Sequence, residues 1–224
     1  MMKNIHRSSL MFILAIGLVT MDACRKKYES TAEDMAEYGW ELYEADDYLN
    51  SVTWFNEARI EDSKWKDAYN GLGWTWANLM ELDSSIANFD IGLDQEQDKW
   101  NPVDIQAEIL AGLTFAYSAK GNDVKTIQYG RIFLDSIEIK TVKPLKPSWT
   151  FTHDPDSLLN HLDLRITLAA SYFAIGKFDS TILQMKVIIN EIKYPNVAVT
   201  DTSLNGRKLM AEQIKAIQKE LRIK

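Results

Sequence analysis

Apolar residues along this chain recur in a helical rhythm. Toward the C-terminus Met210, Ile214, Ile217 and Leu221 fall four, three and four residues apart, with lysines and glutamates on the other side. Such a single apolar stripe predicts an amphipathic helix over 204–222. Further upstream the rhythm itself repeats. YGWELYEADDYLNSVTWFNEA (38–58) lies over LGWTWANLMELDSSIANFDIG (72–92), pairing Gly39 with Gly73, Trp40 with Trp74, Ser51 with Ser85, Phe55 with Phe89 and Ala58 with Gly92, each pair 34 residues apart. Each copy reads as helix, turn, helix. Small residues let two helices approach to about 8–10 Å, and large apolar ones fill the flanks.

Two later stretches carry weaker copies. In LAGLTFAYSAKGNDVKTIQYGRIF (110–133), Tyr117, the turn Lys120–Asp123 and Ile127 fit, while Gly130 stands where an aromatic residue is expected. In LRITLAASYFAIGKFDSTILQMKVII (164–189), Leu168, Ala169, Tyr172, the turn Gly176–Phe178 and Ile182 fit better. Insertions separate the units: QEQDKWNP after the second and KTVKPLKPSWTFTHDP after the third. Asp154–Pro155 reads as an N-cap followed by a first-turn proline, opening the next helix.

The period and these positions resemble the tetratricopeptide repeat (TPR) family. The resemblance spans 36–190 and implies an all-α, right-handed solenoid of antiparallel helix pairs, about nine helices in all. Units are expected at 34–65, 66–99, 105–139 and 157–194. The 204–222 helix would cap the last unit, as solubility of a stacked array requires.

The first 24 residues differ from the rest. Lys3, His6 and Arg7 form a basic head, and Leu10 to Met21 is an uncharged, mainly apolar run. As a helix it would rise roughly 18 Å, too short for a hydrocarbon core of about 30 Å, which marks an export signal over 1–23. Cys24, the single cysteine of the chain, sits where bacterial lipoprotein signals carry the lipidated cysteine, with Ala23 before it as those signals prefer. Met21 and Asp22 depart from that pattern, and the alternative is an uncleaved or differently cleaved signal. Either way the mature protein is expected outside the cytoplasm, and with a lipid on Cys24 it would face the periplasm from the outer membrane. A tether over 24–33, about ten residues, would hold the domain within roughly 35 Å of the membrane. Its basic start, Arg25-Lys26-Lys27, is either plain tether or a contact with an anionic leaflet.

Composition adds exclusions. Of 224 residues 46% are hydrophobic and 25% charged, an ordinary globular balance, and the net charge of −7 argues against nucleic acid as a partner. No nucleophile elbow, zinc-protease motif or phosphate loop is present. His153 and His161 stand eight apart across Pro155, not as a helical metal pair, although Asp154, Asp156 and Asp163 lie nearby. Acidic clusters such as Glu44, Asp46 and Asp47 mark turns and helix ends rather than a tuned carboxylate pair. No enzyme, cofactor or metal site is expected.

In TPR proteins the first helices of successive units line a concave groove that accepts peptides or partner proteins. Position by position, the resemblance implies a groove built from Trp40, Tyr43, Asn70, Trp74, Asn78, Phe115 and Phe173, with Glu33, Asp67, Glu108 and Asp163 also facing it. Trp40 and Trp74 stand where a carboxylate clamp would need small polar groups, so such a clamp is not expected. The implied role is a protein-binding scaffold of the cell envelope with an envelope protein or peptide as partner. The rival role is a carbohydrate-binding component of an outer-membrane nutrient-uptake system, with tryptophans stacked on sugar rings. Trp74 and Trp76, two residues apart, differ by roughly 200° around a helix. Trp76 is expected in the core; Trp74, like Trp40, either binds a partner or fills the space between units.

Overall fold

Local capping explains where the first described helix starts. Thr31 accepts from the backbone of Asp34 while the Asp34 carboxylate takes the Thr31 N–H and hydroxyl, a reciprocal cap that satisfies orphan donors of the first turn. The computed structural model describes residues 29–96, 104–139, 149–153 and 159–222. The expected signal, Cys24, Asp154 and Pro155 lie outside the described residues. Within them are nine helices: α1 (Ala32–Glu44), α2 (Tyr48–Glu61), α3 (Lys66–Asn78), α4 (Leu82–Asp94), α5 (Ile105–Ala119), α6 (Asp123–Ile139), α7 (His161–Ala174), α8 (Phe178–Ile192) and α9 (Leu204–Leu221).

Four antiparallel pairs, α1–α2, α3–α4, α5–α6 and α7–α8, stack in chain order. First helices also pack on first helices, α1 on α3, α3 on α5 and α5 on α7, so they form the inner layer. The fourth unit opens later than Asp154–Pro155 suggested. Its helix starts at His161, where Asn160 and Asp163 make a reciprocal cap. α9 lies against α7 and buries Met210, Ile214, Ile217 and Leu221, closing the stack on its C-terminal side. Among the described residues no helix is long and apolar enough to cross a membrane.

Each pair turns by the same device. A left-handed residue ends the first helix at Asp46, Met80, Gly121 and Gly176. The two N–H groups after each helix fold back onto its last carbonyls: Asp46 to Tyr43 and Asp47 to Leu42 in the first unit, Met80 to Ala77 and Glu81 to Trp76 in the second. Gly121 to Ser118 with Asn122 to Tyr117, and Gly176 to Phe173 with Lys177 to Tyr172, repeat the pattern. This is the glycine-favouring helix stop known for its paired return bonds, here made twice with glycine and twice without. The crossings are equally regular. Ser51, Ser85, Thr126 and Thr181 are fully buried there, and Ser51 Oγ donates to the Gly39 carbonyl at 2.9 Å.

Units are keyed together by two phenylalanines. Phe55 of α2 is fully buried between Gly39 of its own unit and Gly71 of the next; a Cβ at Gly71 would stand 2.2 Å from its ring. Phe89 sits likewise between Gly73 and Gly112, with the corresponding distances 2.4 and 2.2 Å. At the third junction the key is reversed. Gly130 of α6 leaves the gap and Leu168 of α7 enters it, 2.7 Å from where a Cβ would lie. The missing aromatic at Gly130 is therefore a change in which side supplies the bulk, and Phe133, one turn on, carries the ring instead.

Gly71→Ala should reduce stability by about 1–3 kcal/mol despite the better helix former, because the methyl group overpacks against Phe55. Urea titration of the single variant and of Gly71→Ala with Phe55→Leu checks this: the second change should restore part of the loss, and equal or higher stability of the single variant would contradict the keying.

Candidate functional site

The inner helices present a row of rings and acids. α1 supplies Trp40, Tyr43 and Glu44; α3 supplies Asp67, Asn70, Trp74 and Asn78; α5 supplies Glu108 and Phe115. Glu33, Asp67, Glu108 and Asp163 occupy the same place in the four units, one carboxylate per inner helix. Trp40 and Trp74 are nevertheless only 4% and 6% exposed. What covers them is the chain itself.

Residues 149–153, Trp-Thr-Phe-Thr-His, cross this row, extended from Trp149 to Phe151 and turning at Thr152 and His153. They are tied back to the start of α7 by two backbone bonds, Phe151 N–H to the Leu159 carbonyl and His161 N–H to the Trp149 carbonyl, with a bridge between Thr150 and Asn160. Because the backbone turns at Thr152 and His153, both of these and Phe151 reach the inner row. Trp149 packs edge-on to Phe133 at 5.2 Å. Phe151, 2% exposed, lies 4.2 Å from Trp74 and also meets Trp40 and Tyr43. His153 stacks on Trp40 at 3.6 Å with the rings 2° from parallel, and its Nδ1 is 3.0 Å from a Glu44 carboxylate oxygen. Aromatic pairs of this kind contribute about 0.5–1.5 kcal/mol each beyond their area.

Beneath the segment runs a polar chain. Trp40 Nε1 donates to Asp67 at 2.9 Å, Asn70 Nδ2 donates to Asp67 at 3.2 Å and to Glu108 at 2.7 Å, and the Thr152 hydroxyl donates to Glu108. Burial pushes the Glu108 carboxyl above the ordinary range, and the bonds from Thr152 and Asn70 with the charge of His153 pull it only part of the way back. Asp67 is raised for the same first reason, against the bonds from Trp40 and Asn70. Two groups stay unsatisfied: Asn70 Oδ1 and Trp74 Nε1 are buried without a hydrogen-bond partner. Each such orphan costs about 1–3 kcal/mol.

Of the other expected groove residues, Tyr43 accepts from Asn78 Nδ2 at 2.8 Å, and Phe115 packs on Trp74 at 6.4 Å. Phe173 does not join them; its ring meets Phe178 at 5.6 Å in the second apolar cluster, with α9. Trp76, expected as core, is half-buried at the edge of the first cluster and less covered than Trp74. His161 is separate from His153, with Nε2 3.0 Å from Glu191, and no group of three metal-ligating side chains occurs among the described residues. Beyond Phe115 the inner face opens into a cavity of about 360 Å³ between α5, α7 and α9, lined by Phe115, Leu159, Asp163, Ile166, Leu221 and Arg222.

Trp149, Phe151, Thr152 and His153 were not among the residues the repeat pattern marks. Their signal is the cluster of rings Trp149, Phe151 and His153 within a stretch otherwise rich in lysine and proline.

Comparison with known proteins bears on the fold. No family model matches the chain, and no curated protein does. Among solved structures it is similar to YrrB, described as a TPR protein with an unusual peptide-binding site, with a TM-score of 0.59 and 11% identity over 89% of this chain and 92% of that one. The chain thus has the TPR solenoid fold. The likeness at this identity is one of fold.

Because the native pKa of Glu108 lies above that of an unfolded glutamate, its contribution to stability is fully present below the ordinary glutamate range and is lost as pH rises through the raised native value. Glu108→Gln removes that loss. Melting temperatures measured from about pH 4 to about pH 8 should show the variant gaining on wild type as pH rises; parallel curves would contradict a desolvated Glu108.

Proposed function

We propose that this chain is a non-catalytic scaffold of the bacterial cell envelope that holds an extended segment of another protein along its inner helices. The observation that carries this reading is the way residues 149–153 lie there, with Phe151 among Trp40, Tyr43 and Trp74, and His153 on Trp40 beside Glu44. The surface accepts a chain segment through rings at two of its positions and carboxylates beside them. YrrB's described peptide-binding site supports the same use of the fold.

Export rests on the basic head and short apolar run before Cys24, and anchoring on Cys24 as the lipidated residue of an outer-membrane lipoprotein facing the periplasm. Lys26 and Lys27 then continue into a short tether, keeping the groove near the membrane. Binding and tethering together make an accessory subunit for an envelope assembly. A sugar-binding role has less to stand on, since what lies against the two indoles is a segment of polypeptide.

The experiment places a photo-crosslinking amino acid at Asn78, on the inner face, or at Leu183, exposed on α8, in cells carrying either Cys24 or Cys24→Ser. An adduct with an envelope protein from Asn78 but not Leu183, in a membrane fraction that Cys24→Ser empties, is expected. Adducts from Leu183 alone, or an unchanged membrane fraction with Cys24→Ser, would overturn the groove or the anchor respectively.

A further inference from the structure

We infer that residues 149–153 are an internal ligand that keeps the groove closed, and that the segment displacing them carries an aromatic residue followed two positions later by a basic residue or histidine. This rests on the groove reading above and specifies its partner and its regulation. The occupant defines the subsites. One takes a ring between Trp74 and Tyr43, where Phe151 sits. The next takes a flat cationic or imidazole group against Trp40, where His153 sits with Glu44 at 3.0 Å and Asp67 below. Between them Glu108 receives a hydroxyl from Thr152. Glu44, against the His153 ring, selects against an acidic side chain at that position.

The internal segment fits this surface incompletely. Asn70, fully buried, keeps its Oδ1 without a partner, and Trp74 Nε1 is buried beside Phe151 without an acceptor. An incoming backbone can offer both an N–H and a carbonyl, which the Trp149–His153 segment does not bring to these atoms. A longer ligand can also continue past Phe115 into the cavity between α5, α7 and α9. Displacement is necessary because a segment attached to the same chain acts at an effective concentration on the order of millimolar. The apparent affinity for any partner is then reduced by the fraction of molecules whose groove is open.

The test uses the full chain and the labelled synthetic peptide WTFTH, capped at both ends, with binding followed by fluorescence anisotropy. Wild type should bind it at least about tenfold more weakly than Phe151→Ala, whose groove lacks the competing ring. Thr152→Val with His153→Ala leaves the core ring in place and should give an intermediate gain, so the idea stands or falls even where Phe151→Ala does not fold. Peptide WTATH, lacking the ring, and WTFTE, with an acid in place of histidine, should bind neither opened variant. Folded variants that bind WTFTH no better than wild type would overturn the internal ligand. Equal crosslinking of a partner at Asn78 by wild type and Phe151→Ala would also overturn it while leaving the groove reading intact. Absence of any Asn78 adduct from either protein would instead defeat the groove reading.

Discussion

Everything on the inner face depends on two phenylalanine rings seated against glycine. Phe55 against Gly71 and Phe89 against Gly112 fix how closely one unit stacks on the next, because neither ring has room for an added methyl group. That spacing puts Trp40, Trp74 and Phe115 on consecutive inner helices and brings Asp67 to Trp40 and Glu108 to Asn70 across the seams. A polar chain of this length survives burial only if the helices carrying it are held rigidly. Where the key reverses, at Gly130 and Leu168, the row of aromatic side chains ends as well; Ala170 takes the place of Phe115 in the last unit.

The occupied groove joins two roles in one set of residues. Trp149 and Phe151 add apolar mass to the core of the first three units, and Phe151 also covers Trp40 and Trp74 of the inner row. An aromatic trough left open would expose a large apolar patch, which soluble proteins seldom carry without a partner. Filling it with a segment of the same chain covers that patch, while the buried Glu108 carboxyl and the orphaned Asn70 Oδ1 and Trp74 Nε1 carry a cost.

The repeat was legible because its constraints are steric and therefore written in residue size. Gly39, Gly73, Phe55 and Phe89 show the first two units at a glance, and the apolar stripe of α9 shows the cap. Gly130 hid the third junction, because a reversed key keeps the volume and moves it to another helix. The start of α7 was misread for a related reason: Asp154–Pro155 has the local chemistry of a helix start, but Asn160 and Asp163 make the cap. Tryptophan positions carried less information than they seemed to. Trp74 lies beside Phe115 of the next inner helix, yet the cover from Phe151 depends on a contact with a segment more than seventy residues away, which no local pattern encodes.

The central claim is that the inner groove holds Trp149–His153 in solution, and nuclear magnetic resonance on selectively labelled protein tests it most directly. Ring protons of Phe151 should show cross-relaxation with the indole of Trp74, and the His153 ring protons should be shifted strongly upfield by the parallel Trp40 ring. Unshifted His153 resonances with no contact between Phe151 and Trp74 would contradict the account.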